Sequence, residues 1–167
     1  MRIATFVTAA LIGAVTPAAT LAQGGGWKWT SSPQDSPNGG HCWMGIGHQG
    51  RKISVHATAG AGNFMGLDSP ALGAMAAQEN GTITFAGGTP ARKQYTLVWQ
   101  KGDTKPTTYI ASGIDGDGVI AVLQGFIIAE NASDGVSLAV GSSGELRFPA
   151  AGASQAAEGF AGCMDQL

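Results

Sequence analysis

From His41 onward, apolar and polar residues alternate with a period of two, the pattern of strands that bury one face and wet the other. Gln49-Gly50 sits at the centre of the clearest case, and a two-residue turn there, with glycine supplying a positive φ, folds the chain back as a hairpin. That register places Cys42, Met44, Ile46, Ile53, Val55 and Ala57 on one face. His41, Trp43, Gly45, Lys52, Ser54, His56 and Thr58 fall on the other. Further strands are expected around Asn63 to Leu67, Thr82 to Ala86, Gln94 to Gln100 and Thr107 to Ala111, with Ile83, Phe85, Tyr95, Leu97 and Trp99 at alternate positions. Val136 to Val140 and Glu145 to Phe148 flank Gly141-Ser142-Ser143-Gly144 and read as another hairpin.

Two segments change period. Val119, Leu123, Phe126, Ile127 and Glu130 recur at helical spacing behind Asp117 as a candidate cap, although the β-branched residues of that run also suit a strand. Ala156, Phe160 and Cys163 form one stripe of a terminal helix over Ala153 to Met164, with Ser154 as its candidate cap. The expected fold is mainly β, β-sandwich-like or α+β, with the C-terminal helix packed on the sheet. No internal repeat or second core is visible.

The N-terminus follows a different rule. Arg2 precedes an uncharged run through Ala22, with Pro17 near its end and small residues at Thr20 and Ala22, the layout of a cleavable export signal over residues 1–22. A retained anchor fits less well, because the run is short, rich in Thr and Ala, and contains a proline. Residues 23–40, rich in Gly, Pro and Ser around Trp27 and Trp29, read as an extended lead-in. The remaining 41–167 form a single globular domain, a size able to bury a core. The full chain carries 9 basic and 11 acidic residues, so loss of Arg2 with the leader leaves a net charge of −3. Such a balance gives no electrostatic reason to bind nucleic acid or anionic membrane.

Cys42 and Cys163 are the two cysteines. In an exported chain they are expected to form a disulfide tying the start of the domain to its end, the competing state being two buried thiols. His41, His48 and His56 are the three histidines, so any imidazole chemistry must draw on them. His41 and His56 share the polar face of the first hairpin, whereas Met44 points to the other, which argues against a copper site. Asp115 and Asp117 resemble part of a calcium loop, but the twelve-residue pattern would put Gly113 at the first ligand and Gln124 at the last. A turn and a capped helix explain them without an ion. No serine sits in a nucleophile elbow, and no cofactor is implied.

The tryptophan lead-in, the Cys42-Trp43-Met44 strand, the Pro70-Ala71-Leu72-Gly73 turn, the Val136 to Phe148 hairpin and the Gly152 to Cys163 helix occur in this order. In that order the chain resembles the invasion-associated locus B-like family of bacterial secreted proteins, while lacking the second, mid-chain cysteine pair of that family. The resemblance implies a β-rich, non-enzymatic protein of the bacterial envelope or exterior, in some members linked to host cells. The leading expectation is therefore a secreted or periplasmic binding protein for a protein or surface ligand, without stable membrane insertion after cleavage. Trp27, Trp29, His41, Trp43 and His56 are its candidate recognition residues. The alternatives are a small extracellular hydrolase or lyase using His41, His56 and an acid such as Asp68, and a calcium- or metal-binding module at Asp115 and Asp117.

Overall fold

The computed structural model describes residues 26–32, 39–87, 94–133 and 135–167; the expected export signal over 1–22 and parts of the expected lead-in lie outside them. Nine strands among the described residues form one antiparallel sheet: β1 (Lys28–Ser32), β2 (His41–His48), β3 (Arg51–Thr58), β4 (Gly62–Asp68), β5 (Gln78–Phe85), β6 (Gln94–Lys101), β7 (Thr108–Ile114), β8 (Gly135–Val140) and β9 (Glu145–Pro149). Their spatial order is β1-β2-β3-β4-β7-β6-β5-β8-β9. Helix α1 (Gly116–Asn131) connects β7 to β8, and helix α2 (Ala153–Met164) ends the chain. The expected mainly β fold with a closing helix is present, built as one continuous curled sheet.

The β2–β3 hairpin has the register that alternation predicts: Cys42 lies opposite Ala57, Met44 opposite Val55 and Ile46 opposite Ile53. Gln49 and Gly50 both have positive φ, 50° and 74°, which matches the turn's twist to that of the strands. The lead-in is more than an extended tail, because its residues 28–32 pair with β2 as an edge strand, Trp29 opposite Met44.

One face of the sheet is dry. Cys42, Met44, Val55, Met65, Tyr109, Trp99, Ile83, Phe85 and Phe148 project from it into a single core, and α1 adds Val119, Val122, Leu123 and Phe126. The β-branched run therefore folds as a helix, since it must cross from β7 to β8 while presenting an apolar stripe to the sheet's hollow side. The sheet curls far enough that β2 and β9 come into contact, and α2 packs on β1 and β2 across the gap. Trp27 closes the same seam: its indole Nε1 donates to the Pro149 carbonyl at 2.8 Å and its ring meets Phe126 at a centroid distance of 4.4 Å. The Cys42–Cys163 disulfide joins β2 to α2.

Both helix caps differ from the sequence expectation. Asp115, in extended conformation, caps α1 by accepting from the Gly118 amide at 2.7 Å, while Asp117 lies exposed inside the first turn. A cap must sit outside the helical backbone to reach amides two or three residues on, so the earlier aspartate takes the role. Gly152 is the N-cap position of α2, and Ser154, already in the first turn, does not cap it. Glu130 of α1 does so instead, its carboxylate accepting from the Gly152 and Ser154 amides at 2.5 Å each.

Burial opposes ionisation of Glu130, but the Ser154 hydroxyl and the Ser154 and Gly152 amides outweigh it and hold the pKa below its ordinary 4.5. Replacing Glu130 by Ala is expected to cost about 1–2 kcal/mol, the range for a lost cap. A depressed carboxyl contributes stability above its unfolded pKa and loses it as pH falls through the folded one. The difference between wild type and Glu130→Ala in urea unfolding should therefore be full at neutral pH and shrink below about pH 4.

Candidate functional site

The wet face of β2, β3 and β4 differs in character from the rest of the sheet's exterior. Across β5 and β6 that exterior presents Asn80, Thr82, Thr84, Gln94, Thr96 and Gln100 around one exposed aliphatic side chain, Val98. On β3, by contrast, Ser54 lies directly opposite Gly45 of β2 and directly opposite Gly66 of β4. Neither glycine can be enlarged without collision: a Cβ on Gly45 would come within 3.0 Å of the Ser54 Cβ, and one on Gly66 within 2.8 Å of its Oγ. The two missing side chains open a groove on each side of the serine. The larger, about 500 Å³, runs over Gly45 and Gly47 with Trp43, Lys28 and Lys52 at its sides. The smaller, about 230 Å³, runs over Gly66 between Phe64, His56, Ile110 and Asp68. Lys52 and Ser54 line both.

Three polar side chains connect across this face. His41 Nε2 lies 3.0 Å from His56 Nδ1, and His56 Nε2 lies 2.9 Å from Ser54 Oγ. Phe64 stacks on His56 at a centroid distance of 4.3 Å, whereas His41, nearly parallel to His56 with centroids 5.3 Å apart, meets it edge to edge through the nitrogen contact. Strand pairing sets this up, because Phe64 and Trp43 are the cross-strand partners of His56 while His41 is its diagonal neighbour. Ser54 Oγ also lies 3.5 Å from the Gly66 carbonyl, too long for a strong bond. A neutral His56 therefore has two proton arrangements. Either its Nδ1–H donates to His41 and its Nε2 accepts from Ser54, or its Nε2–H donates to the serine and His41 donates to its Nδ1.

Burial, with the His41 ring adding a second, smaller effect, lowers the His56 pKa from 6.5 to about 4. The unfolded chain then binds a proton that the folded one refuses, so this contribution is intact above about pH 6.5 and is lost as pH falls toward 4. The full shift corresponds to roughly 3 kcal/mol, which screening at this partly open position reduces to about 1–2 kcal/mol. Urea unfolding of wild type should weaken between pH 7 and pH 4.5, and His56→Gln, which keeps hydrogen-bonding groups but does not titrate, should flatten that slope. An equal slope in both proteins counts against the assignment.

The candidate recognition residues divide between the two faces. His41, Trp43 and His56 come together on the wet face, each partly buried. Trp27 is only 7% exposed and belongs to the core, and Trp29 packs inward against it, its ring lying on Gly159 of α2. The alternation that puts Trp43 outside puts Trp29, opposite Met44, inside. His48 stands at the hairpin end, away from the other two histidines. Asp68 lies in the smaller groove, accepting from Thr107 Oγ1 at 2.8 Å. Asp115 is engaged as a helix cap, and no group of three or more His, Cys, Asp or Glu residues able to hold a metal occurs among the described residues.

Ser54, Phe64, Gly45, Gly66 and Lys52 complete the site. The first hairpin's register already places Ser54, Gly45 and Lys52 beside His56, but the β4 partners depend on a pairing across the Ala59 to Ala61 turn, where Gly60 and Gly62 suit an open loop as well as a hairpin. The fold and site together define a class: an antiparallel sheet curled round a helix, with a serine–histidine–histidine chain between two grooves on its solvent face. No protein-family model, curated protein or solved structure matches the chain.

Proposed function

We propose that this chain is an exported protein of the bacterial envelope or exterior that works by recognition, holding a partner or surface ligand on the wet face of β2, β3 and β4. One observation carries the reading: Trp43, His41, His56, Phe64 and Lys52 converge beside two glycine-floored grooves, while the neighbouring β5–β6 exterior carries Asn, Thr and Gln side chains around an isolated Val98 and has no aromatic or charged group among them. Concave sites with aromatic walls and a few convergent polar groups are where small ligands settle. Lys28 and Lys52 beside the larger groove favour a ligand with acidic or hydroxyl-rich edges and a flat portion against Trp43.

Export is supported by the leader-like pattern of residues 1–22 and by the disulfide, a bond that persists in oxidising compartments. No helix among the described residues is long and apolar enough to cross a membrane. Membership of the invasion-associated locus B-like family remains part of this proposal and rests on landmark order alone.

The test is a titration of the isotope-labelled protein with acidic and neutral saccharides and with aromatic peptides at millimolar concentration. Amide shifts should cluster at Gly45, Gly47, Ser54 and Gly66 and vanish in Trp43→Ala with the disulfide intact. Shifts confined to another face, or retained in Trp43→Ala, or absent throughout, would count against recognition at this site.

A further inference from the structure

We propose that Ser54 is a nucleophile, that His56 is its general base with His41 as a positioning residue, and that the two grooves receive the two halves of a small ester. This goes beyond recognition and assigns the same face an acyl-transfer activity.

A serine hydroxyl is a poor nucleophile until a base within hydrogen-bond reach takes its proton. His56 Nε2 stands 2.9 Å from Ser54 Oγ, inside that reach. The base must in turn be held in the tautomer that leaves Nε2 unprotonated. His41 Nε2, 3.0 Å from His56 Nδ1, supplies an acceptor for the Nδ1 proton at the ring's edge, and the Phe64 ring covers one face of the imidazole. The arrangement of nucleophile, base and a third group orienting the base is recognised by geometry and role, independent of fold.

Access comes from the glycines. Side chains at positions 45 and 66 would press on Ser54 from both sides; their absence leaves a groove each way from the hydroxyl. A scissile carbonyl above Oγ would thus direct its acyl part into one groove and its alcohol part into the other. Lys52, two residues from Ser54 on the same face, is the cation that lines both grooves and so can serve a developing oxyanion, while Lys28 stands beside the larger groove only. Trp43 on one side and Phe64 with Ile110 on the other favour short apolar or aromatic halves.

The chemistry balances without a co-reactant other than water. Ser54 Oγ bonds to the carbonyl carbon as its proton passes to His56 Nε2. The carbon–oxygen bond to the alcohol then breaks, and the alcohol leaves with that proton. Water, deprotonated by His56, cleaves the acyl-serine, releasing the carboxylic acid and returning the proton to Ser54.

The full chain, purified with its disulfide intact, is to be treated with an alkyl fluorophosphonate and mapped by peptide mass spectrometry, and assayed with p-nitrophenyl butyrate. In the labelling reaction Ser54 Oγ bonds to phosphorus and fluoride leaves. The adduct is expected on Ser54 and is lost in Ser54→Ala together with ester turnover. His56→Gln, which keeps hydrogen-bonding capacity, should slow both by about 100-fold or more, the usual contribution of a general base. His41→Ala should slow both by on the order of tenfold, and His41→Gln, whose carbonyl can still accept the Nδ1 proton, should recover most of that loss. A purely structural pair would leave His56→Gln active. Absence of a Ser54 adduct in folded wild type, or equal labelling of His56→Gln, overturns the proposal. Saccharide or peptide shifts that persist in Ser54→Ala would leave recognition standing in that event.

Discussion

Replacing Cys42 and Cys163 together by alanine is expected to lower the free energy of unfolding by about 4 kcal/mol. The bond joins positions 121 apart in sequence, so in the unfolded chain it closes almost the whole described length into a loop. Releasing a loop of that size returns a large conformational freedom to the unfolded state, and because both sites are buried the two lost sulfur atoms add a smaller packing cost in the native state. The bond also anchors α2 to β2 at the seam where the curled sheet meets itself. Loss of the crosslink should therefore loosen α2 and β1 before the β3–β4–β7 centre, visible as earlier hydrogen exchange at Ala156 to Cys163. A midpoint in urea that does not move between oxidised and reduced wild type would show that the seam is held by packing alone.

The second large effect is expected at Trp27, where substitution by alanine should cost about 3–5 kcal/mol. Three separate contacts are lost: the indole hydrogen bond to the Pro149 carbonyl, the tilted packing on Phe126, and the cover over the seam where β2 meets β9. The Pro149 carbonyl, half-buried, would need water as a replacement partner. Because Trp27 belongs to the core and Trp43 to the wet face, the two tryptophan variants should separate cleanly. Trp27→Ala should lower the unfolding midpoint yet preserve ligand shifts at Gly45 and Ser54 under conditions where it is folded. Trp43→Ala should do the reverse. Loss of ligand shifts in folded Trp27→Ala would mean that the seam and the grooves are mechanically coupled.

Much of the fold was legible where local pattern and turn chemistry agree. The β2–β3 register followed from alternation about Gln49-Gly50, and α2 from the spacing of Ala156, Phe160 and Cys163. The lead-in strand β1 was hidden, since Lys28–Ser32 has little apolar alternation and forms only because β2 offers an unpaired edge. The caps were displaced for a similar reason. Asp115 and Asp117 are equally good acceptors as residues, and only the turn leaving β7 decides which lies outside the helix. Glu130 became the cap of α2 through the packing of α1 on α2, which no local window contains.

By itself the chain's order of residues determined that the protein is mainly β, that Cys42 and Cys163 are the available crosslink, and that His41, Trp43 and His56 share a face. These depend on neighbours a few residues apart or on there being a single pair to choose. Tertiary structure alone decided that one sheet curls until its edges meet, that Trp27 and Trp29 turn inward, and that Phe64 and Gly66 arrive beside His56 and Ser54. Those outcomes rest on pairings between strands and on the burial of a shared core, whose free energy is set by the whole assembly of faces and by no segment alone.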